Sequence, residues 1–356
     1  MTGRNKVFLG VGGLLAFVAL GAGGGVLTIL NGVWTPEITM DVPVTCPADT
    51  PELPKGEAIR ALVWNIQFSA GRANEFFYDG GPSVSVTEKE VVDTLDAIGE
   101  VIARFDPDIV ILQEVDRDSR RTHYIDQHEE LLQRTPYACH ASTPYFKGGY
   151  VPHPPHEHLG QVDMHLAIFS KYKLGSSTRH QLPLLKESWI RQQFNLKRAL
   201  METRFPIAGG GTFLAYNTHL AAFSRGDGTL EEQTNEVERH LASAEKEGIP
   251  WLIGADFNAL PPGDDPVRLG TAADLYAETS PITSIYEKYN PGYSLDVYRD
   301  EPKLFRTWIP YGSERADRAL DYVFTGANVD IQLFGVMRQV IGASDHHPLL
   351  VEFTIQ

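Results

Sequence analysis

Cysteine and positive charge are what this sequence has least of. Its 356 residues include two cysteines, Cys46 and Cys139, neither in a metal-ligand spacing. A thiolate zinc site is thereby excluded. The two could pair if the body lies in an oxidising compartment; two free thiols are the plainer reading, because Cys46 falls in a linker. Lys and Arg number 31 against 46 Asp and Glu, a net charge of −15. The basic face that tracks a long polynucleotide is absent. A nucleic-acid substrate is disfavoured without being excluded, since a bound dication would supply positive charge locally. No internal repeat is visible. Hydrophobic residues at 42% and charged residues at 22% suffice for a substantial core.

Long apolar runs are confined to one place, residues 7–30, which carry no charge and only Thr28 as a polar side chain. As a helix this segment would be about 36 Å long, enough to cross a hydrocarbon core of about 30 Å. Arg4 and Lys6 precede it and the next basic residue is Lys55. That asymmetry predicts residues 1–6 in the cytoplasm and the body outside, a single-pass protein of the cell membrane. The rival reading is a signal peptide cleaved near Ala19-Leu20-Gly21, giving a secreted protein. Residues 31–57, with Pro36, Pro43, Pro47, Pro51 and Pro54, read as a semi-extended tether.

Beyond the tether, apolar runs at 59–63, 109–112, 164–169, 199–205, 212–216, 251–253, 322–325 and 349–353 predict strands. Thr87 with Glu90 is a capping-box pattern, followed by Val91, Leu95, Ile98 and Ile102 at helical spacing. Thr229 with Glu232 repeats it ahead of a second helix that Gly248 closes. Helices interleaved with strands and hairpin-like pairs predict an α/β sandwich with mixed sheets.

Five short polar motifs stand at or just after these runs: Trp64-Asn65-Ile66-Gln67, Gln113-Glu114-Val115, Asn217-Thr218-His219-Leu220, Gly254-Ala255-Asp256-Phe257-Asn258 and Ser344-Asp345-His346-His347-Pro348. Strands of one sheet that end in Asn, Asp, Glu or His gather those groups at one edge. Carboxylate, amide and imidazole without thiolate suit Mg²⁺, or Mn²⁺, and a phosphate ester. Asp256 and Asn258 flank Phe257, so an extended backbone projects both to one face.

These motifs in this order, with Leu320-Asp321-Tyr322 before the last, resemble the endonuclease/exonuclease/phosphatase superfamily of DNase I-like nucleases, inositol polyphosphate phosphatases and neutral sphingomyelinases. The resemblance covers 58–356 and implies a single domain, a four-layer α/β sandwich with two mixed central sheets flanked by helices. It implies a metal-dependent phosphoric ester hydrolase, with Glu114, Asn65 and Asp345 at the metal. His346 is the expected general base or, in the other version, a phosphate-binding imidazolium, with Asp321 as its orienter. Asp256 would orient a water and Asn258 bind a phosphate oxygen. His219 and Asn217 would meet the phosphate or leaving group; a buried structural pair is the alternative. Arg198, beside Lys197, is either a substrate contact or a solvated cation.

The segment 136–161 holds His140, His153, His156 and His158 among Tyr, Phe and Pro and reads as a loop near the site. It could grip a lipid surface, a sugar or a base, and its histidines could hold a second metal. Phe76-Phe77-Tyr78 reads as a second exposed aromatic cluster. The expected substrate is a phosphodiester, with a phospholipid or sphingolipid head group favoured; an exported nuclease and an inositol phosphate monoesterase are the alternatives.

Overall fold

The computed structural model describes residues 33–222 and 226–356. In chain order its strands are β1 (Thr39–Val42), β2 (Val44–Thr45), β3 (Ile59–Asn65), β4 (Ile109–Asp116), β5 (Cys139–Val151), β6 (Gly160–Ser170), β7 (Ser177–Gln181), β8 (Ala199–Pro206), β9 (Thr212–His219), β10 (Trp251–Asp256), β11 (Asn290–Pro291), β12 (Asp321–Thr325), β13 (Val329–Val336) and β14 (Leu349–Ile355). They make two sheets of seven strands, ordered β1-β7-β8-β9-β10-β12-β11 and β13-β14-β3-β4-β6-β5-β2. Within each, one central pair is parallel, β9 with β10 and β3 with β4. Their other neighbours run antiparallel.

Strands buried on both faces carry near-continuous apolar runs, and alternate residues feed different layers. Ala61, Val63, Ile109 and Ile111 pack between the sheets against Met201, Ala215, Leu252 and Val323. The intervening Leu62, Trp64, Val110 and Leu112 meet Val91, Leu95, Ile98 and Ile102 of the helix Glu88–Phe105. On the far side Leu214, Tyr216, Ile253 and Ala255 lie under Val237, Leu241 and Ala244 of the helix Thr229–Glu247. Each such aliphatic side chain contributes roughly 1.5–3 kcal/mol on burial. Helix, sheet, sheet and helix thus form the expected four-layer sandwich.

The Thr87 capping box forms: Glu90 N–H donates to Thr87 Oγ1 at 3.2 Å and Thr87 N–H to Glu90 Oε2 at 2.7 Å. Its counterpart at Thr229 does not. Gly228 is the N-cap, and the Asp227 carboxylate takes the Thr229 N–H at 2.7 Å. Asp227 thus takes the donor that the box would give to the Glu232 carboxylate, and Glu232 N–H goes to Gly228 O at 3.1 Å instead.

The sheets approach closely two residues before the C-terminal end of β10. A Cβ built on Gly254 of β10 would lie 2.3 Å from Val63 Cγ2 on β3, so only glycine fits. Gly254→Ala is expected to cost about 1–3 kcal/mol as overpacking, read as a lower urea midpoint at unchanged m-value.

Five expectations are corrected here. Residues 31–57 carry edge strands of both sheets, since β1 pairs with β7 and β2 with β5. Strands this short, separated by Pro43, leave no periodicity to read. The Cys46–Cys139 disulfide pins this strap to β5. Most of 136–161 is strand: β5 hydrogen-bonds along β6, and Cys139, Ala141, Thr143 and Tyr145 alternate inward. The polar outward residues and Pro144, at a register shift, disguise a period of two. His153, His156 and His158 go to separate partners, Phe77, Pro82 and Tyr150. Phe76 is buried rather than exposed, stacked on Tyr78 and edge-on to Phe68.

The single-pass membrane placement is also withdrawn. No helix among the described residues is long and apolar enough to cross a membrane. The segment 7–30 that suggested it lies outside the described residues.

Candidate active site

Parallel strands deliver their C-terminal ends to one edge, which is why β3, β4, β9 and β10 converge there. Asp256 ends β10 beside His219 of β9, and across from both Asp321 opens the antiparallel β12. The connection into β14 carries residues 344–348. It is held against β3 by Ser344 Oγ donating to Asn65 O at 2.7 Å and Trp64 Nε1 donating to His346 O at 2.7 Å.

Asp256 Oδ2 is the focus. Asn65 Nδ2 donates to it at 3.0 Å, His219 Nε2 lies 3.3 Å away and His346 Nε2 3.7 Å. His346 Nδ1 is bonded to Asp321 Oδ2 at 2.7 Å. Burial works against a charged His346 ring, but Asp321, Asp256 and Asp345 outweigh it and raise its pKa well above the ordinary range. Burial and then the charges of Arg198 and His346 hold His219 neutral, so its approach to Asp256 is a polar contact and not an ion pair. Tyr145 O–H meets His219 Nδ1 at 3.1 Å, and Arg198 donates to the His219 carbonyl at 3.1 Å. Arg198 is therefore neither solvated nor free.

Glu114 reaches the cluster through a bulge. The β4–β6 register shifts between Leu112 and Val115, and Glu114 takes a left-handed φ of 58°. A non-glycine residue held there stores backbone strain, the kind that accumulates where a side chain must be re-aimed. Asn65 Nδ2 also donates to Glu114 Oε1 at 3.1 Å. Asn65 thus bridges two carboxylates with its nitrogen, while its oxygen accepts from Gln67 N–H at 3.0 Å. An amide-oxygen ligand there requires the amide to turn over. Asp345 sits nearby, its N–H on Gln67 Oε1 and its carboxylate touched by Ser344 Oγ. Burial, first, raises the pKa of Glu114, Asp256 and Asp345, and mutual repulsion adds to it at Glu114, through Asp345, and at Asp256, through Asp321.

Such crowding suits a dication, and the donors are hard oxygens. The nearby guanidiniums are committed elsewhere: Arg121 to Asp116, and Arg72 to the carbonyls of Ile309, Pro310 and Ser313. Asp256, Asp321 and His346 also lie within 4.8 Å of one another in metal-ligand fashion. The short Asp321–His346 bond already occupies one face of that imidazole, so Glu114 and Asp345 are the better cation donors.

Two expected residues are placed differently. Asn217 lies between the sheets, its oxygen taken by Gln113 Nε2 at 2.7 Å and its nitrogen by Leu112 O and Ala167 O at 2.9 and 3.1 Å. Both amide hydrogens are used, and the side chain is turned to the other sheet and not to the cluster. Asn258, at φ 51°, ties its amide nitrogen to Leu220 O at 2.9 Å and its backbone N–H to Asp256 Oδ1 at 3.0 Å. His347 is buried against Val340 O, so of this adjacent pair only His346 faces the cluster.

Sequence reasoning missed Tyr145, Gln67 and Asp79. Asp79 lines a cavity with Gln67, Arg72, Trp308, Tyr311 and Asp345. Although the residue as a whole is exposed, desolvation on the cavity side and then Asp345 and Glu114 push its pKa from 3.8 to about 7. The folded chain therefore keeps a proton that the unfolded chain loses between those values. Stability from this group falls as pH rises through that window. Without metal, Asp79→Asn is expected to raise the urea midpoint at pH 8 and leave it nearly unchanged at pH 4, measured in EDTA.

The fold and the carboxylate–histidine edge define the architecture of a metal-dependent phosphoesterase. Residues 62–346 match the sequence profile of the Endonuclease/Exonuclease/phosphatase family, and the chain belongs to it. As a member of that family it is a metal-dependent phosphoric ester hydrolase. Among solved structures it is similar to an endonuclease/exonuclease/phosphatase from Beutenbergia cavernae, at 20% identity over 84% of this chain and 72% of that one, with a TM-score of 0.55. The human Nocturnin catalytic domain gives 20% identity over 88% and 97%, with a TM-score of 0.56. A mannosyl-6-phosphatase from Bacteroides thetaiotaomicron gives 16% over 83% and 100%, at 0.51. At these identities the likeness speaks for the fold. No curated protein matches the chain.

Proposed function

We propose that this protein hydrolyses an amphiphilic phosphodiester, a phospholipid or sphingolipid head-group ester, at the edge where β3, β4, β9 and β10 end. The carrying observation is the rim of that edge. Tyr124, Tyr150, Trp189, Ile190, Tyr311 and Ile341 are large apolar side chains exposed to solvent. Each lies on or beside a connection at the catalytic end of the sheets: after β4, between β5 and β6, between β7 and β8, before β12 and before β14. Exposed apolar groups gathered around one opening favour an amphiphile or lipid surface. With a net charge of −15, the chain offers little to a polynucleotide backbone.

In this reading Glu114 and Asp345 hold a divalent cation, Mg²⁺ or Mn²⁺, with Asn65 joining once its amide turns. The cation supplies charge neutralisation at the phosphate. Asp256, its pKa raised by burial, accepts the proton of the attacking water. His346, held charged by Asp321, donates to a phosphate oxygen, and neutral His219 stands on the other side of Asp256. This favours the imidazolium role for His346 over that of a base. Asn258 offers its free amide oxygen at the rim of the cluster, and Asn217 is assigned to holding the sheets together.

The test is head-group release from sphingomyelin and phosphatidylinositol vesicles beside nicking of plasmid DNA, each with Mg²⁺ and with EDTA. EDTA-sensitive lipid hydrolysis is expected. DNA nicking with intact lipid would sink the amphiphile reading and make the protein a nuclease.

A further inference from the structure

Away from the catalytic edge, on the face of the β9–β10 sheet covered by the helix Thr229–Glu247, three residues of different elements meet. His180 comes from β7, Glu202 from β8 and His240 from the helix. One ligand atom of each lies within 4.8 Å of the other two. His180 Nε2 is 3.7 Å from Glu202 Oε2, beyond hydrogen-bond reach. That nitrogen is buried and has no hydrogen-bond partner. The two imidazole rings stand 4.3 Å apart between centroids, tilted by 44°.

A satisfied pair would have closed to about 2.9 Å. Two donors on one tetrahedral ion, with bonds of about 2.0–2.1 Å, stand about 3.4 Å apart instead. The observed gap of 3.7 Å is nearer to the second arrangement than to the first. Glu202 is also set in orientation, because Arg204 Nη2 donates to its other oxygen at 2.8 Å, the outer support that metal-binding carboxylates commonly have. Glu236 faces His240 from the next helical turn at 3.6 Å, and Tyr216 lies across from Glu202 on β9.

We propose that His180, Glu202 and His240 form a second metal site, separate from the catalytic one, that takes a borderline dication with Zn²⁺ foremost. Two imidazoles and one carboxylate select Zn²⁺ over Mg²⁺, whereas the catalytic oxygens prefer the harder ion. Bound there, the ion clips the helix Thr229–Glu247 to β7 and β8. Its three ligands come from the helix and from two strands that pair antiparallel with each other.

The experiment compares the full chain with His180→Gln/His240→Gln, both stripped with chelator and dialysed against Zn²⁺ in excess Mg²⁺. Zinc content and thermal unfolding are measured. Wild type is expected to retain one more equivalent of Zn²⁺ than the double variant, and Zn²⁺ is expected to raise Tm in wild type only. Equal zinc content in the two proteins overturns the site, and so does a wild-type Tm that Zn²⁺ leaves unmoved. Should the double variant fail to fold, His240→Gln alone is used, with Co²⁺ as the probe. Loss of the tetrahedral visible band relative to wild type supports the site, and an unchanged band refutes it. Neither histidine touches the catalytic cluster, so phosphodiester turnover stays as it is, which separates this result from the fate of the proposed reaction.

Discussion

Replacing His346 by alanine is expected to lower kcat by about 10²–10⁴-fold while the protein stays folded. Among the described residues the ring is the only group bonded to Asp321 Oδ2 and one of three that approach Asp256 Oδ2. Its removal leaves two buried carboxylates facing each other without a cation between them. Mutual repulsion would then raise the proton affinity of Asp256 further, so the proposed base is neutralised as the proposed phosphate donor is lost. The local fold does not depend on the ring, because the contacts that fix this segment run through the His346 carbonyl to Trp64 and through Ser344 Oγ. Asp321→Asn is expected to act in the same direction by a smaller factor, since an amide holds the ring without stabilising its charge. Circular dichroism with steady-state kinetics separates the cases; near-wild-type kcat in His346→Ala would overturn the assignment.

Asp116→Ala is expected to destabilise the protein by about 3–5 kcal/mol. Arg121 meets Asp116 bidentately at 2.8 and 2.9 Å, with both side chains buried, and Thr122 Oγ1 adds a third bond at 3.0 Å. The guanidinium also lies 3.6 Å above the Phe68 ring. Cutting the carboxylate leaves a buried charge whose remaining close contacts are the weakly accepting Met164 sulfur and the Phe68 ring. Phe68 belongs to the left-handed turn Gln67–Ser69 that follows Asn65, so the same loss loosens the strut behind the metal-ligand candidates. Urea unfolding measures the first effect. A raised metal requirement for turnover would report the second. A change under 1 kcal/mol would show that water or a rearranged neighbour compensates the arginine.

Much of the site was legible because it is built from strand ends. A run such as 251–253 followed by Asp256 declares both a buried strand and the polar group at its exit. The two sheets, with the connection into β14, then bring Asn65, Glu114, His219, Asp256 and His346 together at one edge. Asn217 defeats that rule. It lies two residues before His219 on the same strand, yet sits deep enough for its amide to be consumed by Gln113, Leu112 and Ala167 of the other sheet. Sequence spacing gives the face a residue occupies and not its depth. Asp79 and Tyr145 were invisible for the opposite reason. They reach the cluster from a turn and from a strand whose alternation is masked by histidine and proline.

By itself the sequence determined the layers, the strand ends and the chemical type of the site, because these follow from apolar periodicity and from which polar residues terminate each run. Only the tertiary structure decided which atoms face which. The bulge that turns Glu114 inward, the amide of Asn65 bridging two carboxylates, the Cys46–Cys139 strap and the meeting of His180, Glu202 and His240 all join residues far apart in the chain. Such contacts depend on register and packing between elements, which no local pattern of residues encodes.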